Sequence, residues 1–210
     1  MIDQTDPQST ASGNTGTPRR VVIVGGVAGG ASCAARLRRL DETVEILMID
    51  RGPYVSFANC GLPYYVGNVI SDERRLLVAS REMFHERFNI EVQTDTEVTS
   101  IDRNARVITV RDVRTGNTRT ERYDVLVLSP GAVPIRPLLP GVDLPGVFAV
   151  RTIPDSRRIR SWIVDHSAKA AVVVGGGFIG LEMVETQGGG TRTVIGCAPM
   201  AVTFTSSVAQ

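Results

Sequence analysis

The chain has 210 residues, 42% of them hydrophobic and 21% charged, with a formal net charge of +1. That is the composition of an ordinary globular protein, and a charge near zero gives no reason to expect nucleic acid or an anionic membrane as partner. The longest apolar runs, residues 21–24 and Ala170–Val174, fall far short of the ~20 residues that span a bilayer.

Residues 1–18 are rich in Ser, Thr, Gly, Asp and Gln and carry no apolar segment, so they read as a disordered leader and not a signal peptide. The cytoplasm is then the default compartment, and three unevenly spaced cysteines make no disulfide framework. Residues 21–24 form an all-apolar run, as expected for a buried parallel strand. Gly25-Gly-Val-Ala-Gly-Gly30 follows, then a predicted helix over residues 31–40 with Ala34, Leu37 and Leu40 on one face. A second strand over residues 44–49 ends on Asp50, completing a βαβ unit of the Rossmann-like kind.

Beyond this unit lies Cys60, 35 residues past Gly25 and 27 past the nearest other cysteine, Cys33. A helix is predicted over residues 80–88 with Ser80 as N-cap, and a strand over residues 90–92. Residues 98–101, 107–110 and 118–122 are short β segments separated by turn-like sequences, which predicts an antiparallel meander. Residues 124–128 again read as a buried apolar strand. Four prolines and two glycines between Pro134 and Gly146 then mark a crossing between domains. A helix over residues 152–165 follows, with Ile153, Ile159, Ile163 and Val164 as its apolar side. The strand Ala170–Val174, the loop Gly175-Gly-Gly-Phe-Ile-Gly180 and a helix through Glu185 start a second βαβ unit.

After Glu185 the pattern breaks. The run Gln187-Gly-Gly-Gly190 is expected to stop the helix, Thr191–Ile195 is a candidate strand, and no Asp or Glu occurs from Thr186 to Gln210. The expected organisation is a leader (1–18), a dinucleotide-binding α/β domain with an antiparallel insert (19–145), a partial second nucleotide domain (146–187) and an anomalous tail (188–210).

The first loop has Gly25 and Gly30 in fingerprint positions but Val27 where the fingerprint has glycine. Its helix N-terminus offers amides to a pyrophosphate, and Asp50 would accept from ribose hydroxyls. The competing reading is a tight turn without a ligand. Strand, helix and acid in the right order favour nucleotide binding. The second loop, with Gly175, Gly177 and Gly180, matches the strict form. Cys60 is either a small buried hydrophobe or a redox thiol. Ser56, Asn59 and Gly61 make its setting polar and turn-like, and Leu62–Val66 reads as a helix start, which would favour the thiolate. Cys33, among alanines, reads as core, and Cys197 receives no role. Arg36, Arg38 and Arg39 read on composition as a solvated helix face, with a docking patch for a phosphate-rich substrate as the alternative. His85 and His166 are isolated, so no metal site is expected.

Taken together, Gly25–Gly30, the sequence Ser56-Phe-Ala-Asn-Cys60-Gly-Leu-Pro-Tyr64, the segment Leu128-Ser-Pro-Gly-Ala132 and Gly175–Gly180 resemble the single-cysteine class of the pyridine nucleotide-disulfide oxidoreductases. The resemblance covers residues 19–185. It implies a Rossmann-like FAD-binding domain, an NAD(P)-binding domain and a homodimer. It implies FAD with NADPH or NADH as cofactors, and coenzyme A disulfide as the substrate of the members most similar to this chain. Residue by residue, it makes Cys60 the redox nucleophile with Ser56 and Asn59 around it, and it places Ser32, Arg36 and Arg39 on coenzyme A. It assigns Gly25, Gly26, Ala28, Gly29, Gly30, Asp50 and Arg51 to FAD, backed by Val98, Ser129, Pro130, Gly131 and Ala132. Gly175, Gly177 and Gly180 would begin the NAD(P) site. NADH oxidases and peroxidases share the class and commonly carry histidine at the position of Ala28, so alanine there favours the disulfide substrate. The later segments of the family pattern, including its catalytic tyrosines and dimerisation domain, are not found. The break after Glu185 resembles a truncated or frame-shifted chain, for which weak or no turnover is expected.

Overall fold

Alternating apolar runs and glycine turns set the architecture. The computed structural model describes residues 19–136, 138–186, 191–195 and 201–205. The leader, Gln187–Gly190 and Cys197 lie outside the described residues, as does most of the tail. In chain order the elements are β1 (Arg20–Val24), α1 (Gly29–Leu40), β2 (Glu45–Ile49), α2 (Leu62–Val66), α3 (Arg81–Phe88) and β3 (Glu91–Gln93). Then come β4 (Thr96–Asp102), β5 (Val107–Asp112), β6 (Thr118–Arg122), β7 (Val125–Leu128) and β8 (Val147–Phe148). The last are α4 (Ile153–Asp165), β9 (Ala170–Val174), α5 (Phe178–Thr186), β10 (Thr191–Ile195) and β11 (Ala201–Thr205).

The first sheet has the order β3-β2-β1-β7 and is parallel throughout. Its central strands are buried on both faces, which is why they read as unbroken apolar runs. Val21, Ile23, Ile46 and Met48 pack with Ala34, Phe84 and Ile90 on one side. Val22, Leu47 and Ile49 pack with Ile108 and Val110 of β5 on the other. The predicted meander is the antiparallel sheet β4-β5-β6, and Ser80 caps α3 by accepting from the Met83 amide at 3.2 Å. The second sheet has the order β10-β9-β11-β8, with β10 parallel to β9 and β11 antiparallel to both its neighbours.

Several expectations are corrected. β7 is not a buried strand: it pairs with β1 alone among the described residues, and Leu128 is 58% exposed. Leu40 does not join the buried face of α1, being 66% exposed. Arg38 takes the inward position instead, on the i, i+3, i+7 row begun by Ala31 and Ala34. The solvated-face reading therefore fails for Arg38. Val164 is likewise exposed, while Ile153 and Ile159 carry the buried side of α4.

The third hydrophobic cluster decides where the cysteine segment belongs. Phe57, Leu62, Tyr65, Val66 and Leu76, which bracket Cys60, share one core with Val150, Ile153, Ile159, Ala171, Val173 and Met183. Most of the segment between β2 and α3 is thus packed against α4, β9 and α5, while Val55 and Ala79 at its two ends join the core of the first sheet.

Candidate active site

The two glycine loops have the same internal geometry. Gly25 and Gly175 have φ of 97° and 119°, a region closed to most side chains. A Cβ on Gly30 would overlap the Gly25 carbonyl oxygen, and one on Gly180 would overlap that of Gly175. The last glycine of each loop therefore lets the helix start against the turn. α1 has no side-chain N-cap bond and no acid in its first turn. Its leading amides are therefore left for an anion.

A cleft of about 590 Å³ runs along the first loop. Of the residues expected at a dinucleotide, Gly25, Ala28, Gly29, Asp50, Arg51, Val98, Ser129, Pro130, Gly131 and Ala132 line it. Gly26 is buried and works through its amide, which donates to Asp50 Oδ2 at 2.7 Å. The Gly52 amide donates to Asp50 Oδ1 at 2.8 Å. Each carboxylate oxygen keeps a second acceptor site, so Asp50 both braces the loop and remains able to accept from ribose hydroxyls. The segment after β7 closes the far side: a Cβ on Gly25 would overlap the Ser129 carbonyl oxygen. The cradle, the uncapped amides and the acid at the strand end fit the adenosine half of a flavin dinucleotide.

Cys60 is exposed, in the 3-10 turn Asn59–Gly61 that leads into α2. Ser56 has φ of 46°, left-handed and costly for serine. Its amide donates to the Gly26 carbonyl at 2.8 Å and its carbonyl accepts from the Val78 amide at 2.8 Å. That residue ties the cysteine segment to the first glycine loop. Asn59 lines the cleft, and its Oδ1 is buried without a hydrogen-bond partner. A buried unsatisfied amide oxygen costs stability unless a ligand supplies a donor. Ser32, Arg36 and Arg39 are exposed at i, i+4 and i+7 on α1 and do not line the cleft. Cys33 packs beside the first core. Gly177 stands in open space, and Gly175, Gly177 and Gly180 do not line this cleft.

Four residues that motif reading did not single out belong to the same region: Tyr54, Glu97, Arg151 and Thr152 line the cleft. Arg151 donates from Nε to the Ala132 carbonyl at 2.7 Å. Thr152 and Asp155 form a capping box on α4, a signal legible in Thr-Ile-Pro-Asp. The Arg111 guanidinium donates to Glu97 and, with Arg51 nearby, holds that carboxyl below its usual value. Arg157 of α4 donates to Glu73 at 2.6 and 2.9 Å and to the Tyr54 hydroxyl at 3.0 Å. The hydrogen bond from Arg157 lowers the Glu73 carboxyl, and the same bond raises Arg157.

Two glycine-turn nucleotide loops, with an exposed thiol on a segment tied to the first of them, define a dinucleotide-linked redox protein. The chain belongs to the pyridine nucleotide-disulphide oxidoreductase family, whose sequence profile matches residues 19–200. FAD and a nicotinamide dinucleotide are the cofactors of that family. Coenzyme A disulfide reductase from Staphylococcus epidermidis is 43% identical over 166 residues, covering 79% of this chain and 37% of the relative. The structure of reduced CoADR-RHD from Bacillus anthracis is 49% identical with a TM-score of 0.82, covering 84% of this chain and 32% of that one. The water-forming NADH oxidase from Lactobacillus brevis, bound to NADH, is 28% identical with a TM-score of 0.75, covering 84% of this chain and 39% of that one. The chain thus spans about a third of the length of these relatives. Among the described residues, no helix is long and apolar enough to cross a membrane, and no cluster of metal-ligating side chains occurs.

Proposed function

We propose that this chain carries the FAD-binding cradle and the single redox thiol of an oxidoreductase that reduces coenzyme A disulfide at the expense of NADH or NADPH. The observation that carries the reading is the exposed Cys60 beside the orphaned Asn59 Oδ1, at the edge of the glycine-cradled cleft. Gly25, Ala28, Gly29, Asp50 and the Ser129–Ala132 segment would hold the flavin dinucleotide, and the Gly175–Gly180 loop the nicotinamide dinucleotide. Bound FAD would relay two electrons from the nicotinamide to sulfur.

The Cys60 thiolate attacks one sulfur of the substrate. A bond from Cys60 Sγ to that sulfur forms, the substrate disulfide breaks, and one coenzyme A thiolate leaves and takes a proton. Two electrons then cleave the mixed disulfide, restoring the Cys60 thiolate and releasing the second coenzyme A. The sum is NAD(P)H, one proton and the disulfide giving NAD(P)⁺ and two thiols. One protein cysteine suffices because the substrate brings the other sulfur. Asn59 would orient the disulfide, and Ser32, Arg36 and Arg39 would meet the phosphate-bearing end, where guanidinium forks suit phosphate. Ala28 at the loop offers no side chain to act on a peroxide, which favours disulfide over oxygen chemistry. The homodimer implied by the family and the cytoplasmic setting expected from the sequence go with this reading.

The test is to incubate the purified chain with coenzyme A disulfide and map thiol adducts by mass spectrometry. The expected result is a coenzyme A adduct at Cys60, absent in Cys60→Ser and absent at Cys33. No adduct at Cys60, or equal adducts at both cysteines, would sink the proposal. Oxidation of Cys60 to sulfenic acid by dilute peroxide in preference to adduct formation would move the reading to a peroxidase.

A further inference from the structure

The cysteine segment is held by α4 at more than its apolar side. Arg160 of α4 lies over the Tyr65 ring, its guanidinium carbon 4.6 Å from the ring centroid. Its Nη1 donates to the Ile70 and Ser71 carbonyls at 3.3 Å and to the Tyr65 carbonyl at 3.4 Å, and its Nη2 donates to Asn68 Oδ1. These groups stand at the C-terminal end of α2 and in the loop after it, where carbonyls lack helical partners. Asn68 itself has φ of 62°, a left-handed turn that the bond to Arg160 helps fix. Cys60 sits two residues before α2, in a turn closed by the Gly61 amide on the Ala58 carbonyl at 2.9 Å.

α2 has five residues, too few to hold its own geometry. Its position therefore comes from what grips it: Arg160 from α4, the shared apolar core, and Thr186 at the end of α5. The Thr186 hydroxyl donates to the Pro63 carbonyl at 3.1 Å. Gly67 is closed on by Thr186, since a Cβ there would overlap the Thr186 carbonyl oxygen.

We propose that Arg160 is a positioning residue for the Cys60 thiol, acting through α2. It binds neither the thiol nor a cofactor. Its planar fork gathers the carbonyls after α2 while its face stacks on Tyr65, and this fixes the helix whose N-terminal end presents the cysteine. The inference rests on the reading of Cys60 as the reacting group, but the fixing of the thiol is measurable without any redox reaction.

The experiment compares the purified chain with Arg160→Met, Arg160→Lys and Asn68→Gly, the last loosening the same link from the other side while keeping its backbone conformation. Amide exchange is followed at Gly61, Gly67, Asn68 and Ile70, and alkylation by iodoacetamide is followed separately at Cys60 and Cys33. In Arg160→Met the four amides are expected to exchange about 10-fold faster and Cys60 to alkylate about 3-fold faster, with Cys33 and the β1 amides unchanged, because only a local opening is released. Asn68→Gly shifts the same readouts in the same direction by about 2-fold, and Arg160→Lys recovers part of the change. Unchanged alkylation at Cys60 despite faster exchange would overturn the proposal, since Arg160 would then hold the helix without placing the thiol. A parallel rise at Cys33 would overturn it too, because it reports loss of the fold. Failure of coenzyme A adduct formation, with these results intact, would defeat the redox reading and leave the positioning role standing.

Discussion

Replacing Arg38 by methionine tests whether one buried guanidinium joins the ends of two helices. Arg38 is 8% exposed, and all five of its N–H donors are spent on backbone carbonyls. Nε donates to Phe88 at 2.8 Å, Nη1 to Asp41 at 3.2 Å and Glu42 at 2.7 Å, and Nη2 to Val44 at 2.7 Å and Asn89 at 2.9 Å. The Asp41, Phe88 and Asn89 carbonyls are left over at the C-terminal ends of α1 and α3, where a cation also meets the negative end of each helix dipole, and those of Glu42 and Val44 lie in the connection from α1 to β2. Methionine keeps much of the stem packing and removes every donor. The bond to Val44 is buried, and an acceptor orphaned there costs about 1–3 kcal/mol. The other four carbonyls are partly buried and can take water, for a further loss of about 2 kcal/mol in all. Relief of burying an unpaired charge offsets about 1–2 kcal/mol of this. The net expectation is a loss of about 1–4 kcal/mol, which a urea slope of about 2 kcal/mol per molar turns into a midpoint lower by about 0.5–2 M. Urea unfolding followed by far-ultraviolet circular dichroism measures it. Arg38→Lys is expected to fall between, since one ammonium has three donors for five carbonyls. A midpoint shift in Arg38→Met below about 0.3 M would refute the clamp, because the carbonyls would then be as well served by water as by the side chain.

The other predictions concern the loops and the ion pair. Gly30→Ala and Gly180→Ala drive a methyl into the carbonyl of the loop's first glycine, so each is expected to lower thermal stability and Gly30→Ala also flavin retention. Gly177→Ala, in open space, is expected to be tolerated, and equal damage from all three would refute the overlap argument. Ser56→Gly relieves a left-handed φ and is expected to stabilise by about 0.5–1 kcal/mol in urea unfolding, whereas Ser56→Val is expected to destabilise. The hydrogen bond from Arg157 holds the Glu73 carboxyl below its ordinary value of 4.5 in the fold. The stability it contributes is complete above that value and is lost as pH falls through its lowered value. Melting temperature should therefore drop more steeply on acidification in the parent than in Glu73→Gln. The difference will be small, because Arg157 is half exposed.

The glycine loops were legible because their glycines answer to backbone requirements, positive φ at the first and zero clearance at the last. The meander was legible because turn residues punctuate period-two segments. What the sequence concealed has equally local causes. An apolar run such as β7 reads the same whether a strand is central or at an edge, so its exposure could not be read. Three arginines within four positions of α1 give no sign of which one turns inward. Arg38 does so because its row carries Ala31 and Ala34 and its fork meets carbonyls from α3, fifty residues away. The strand β11 had no periodic signature, and pairing with β9 and β8 supplies what local preference lacked. Cys60, Asn59 and Ser56 were singled out by type and spacing. Their shared dependence on α4 and α5 was not, since long-range packing leaves no mark in a segment of this length.

Val27 shows how the two loops came to differ. In the second loop the equivalent middle position is Gly177, with nothing near the place of a Cβ. In the first, Val27 packs against the cluster that holds Phe57, Leu62 and Val66. A middle glycine allows a dinucleotide backbone its closest approach. Valine gives up some of that freedom and gains an apolar anchor to the core beneath the cysteine segment. The loop that would hold the flavin is thus joined to that segment twice, through Val27 side-chain packing and through the Ser56 amide on the Gly26 carbonyl. A thiol that must meet a flavin gains from such a link, because displacement of either partner moves the other with it. The second loop carries no thiol, and its middle glycine stays open.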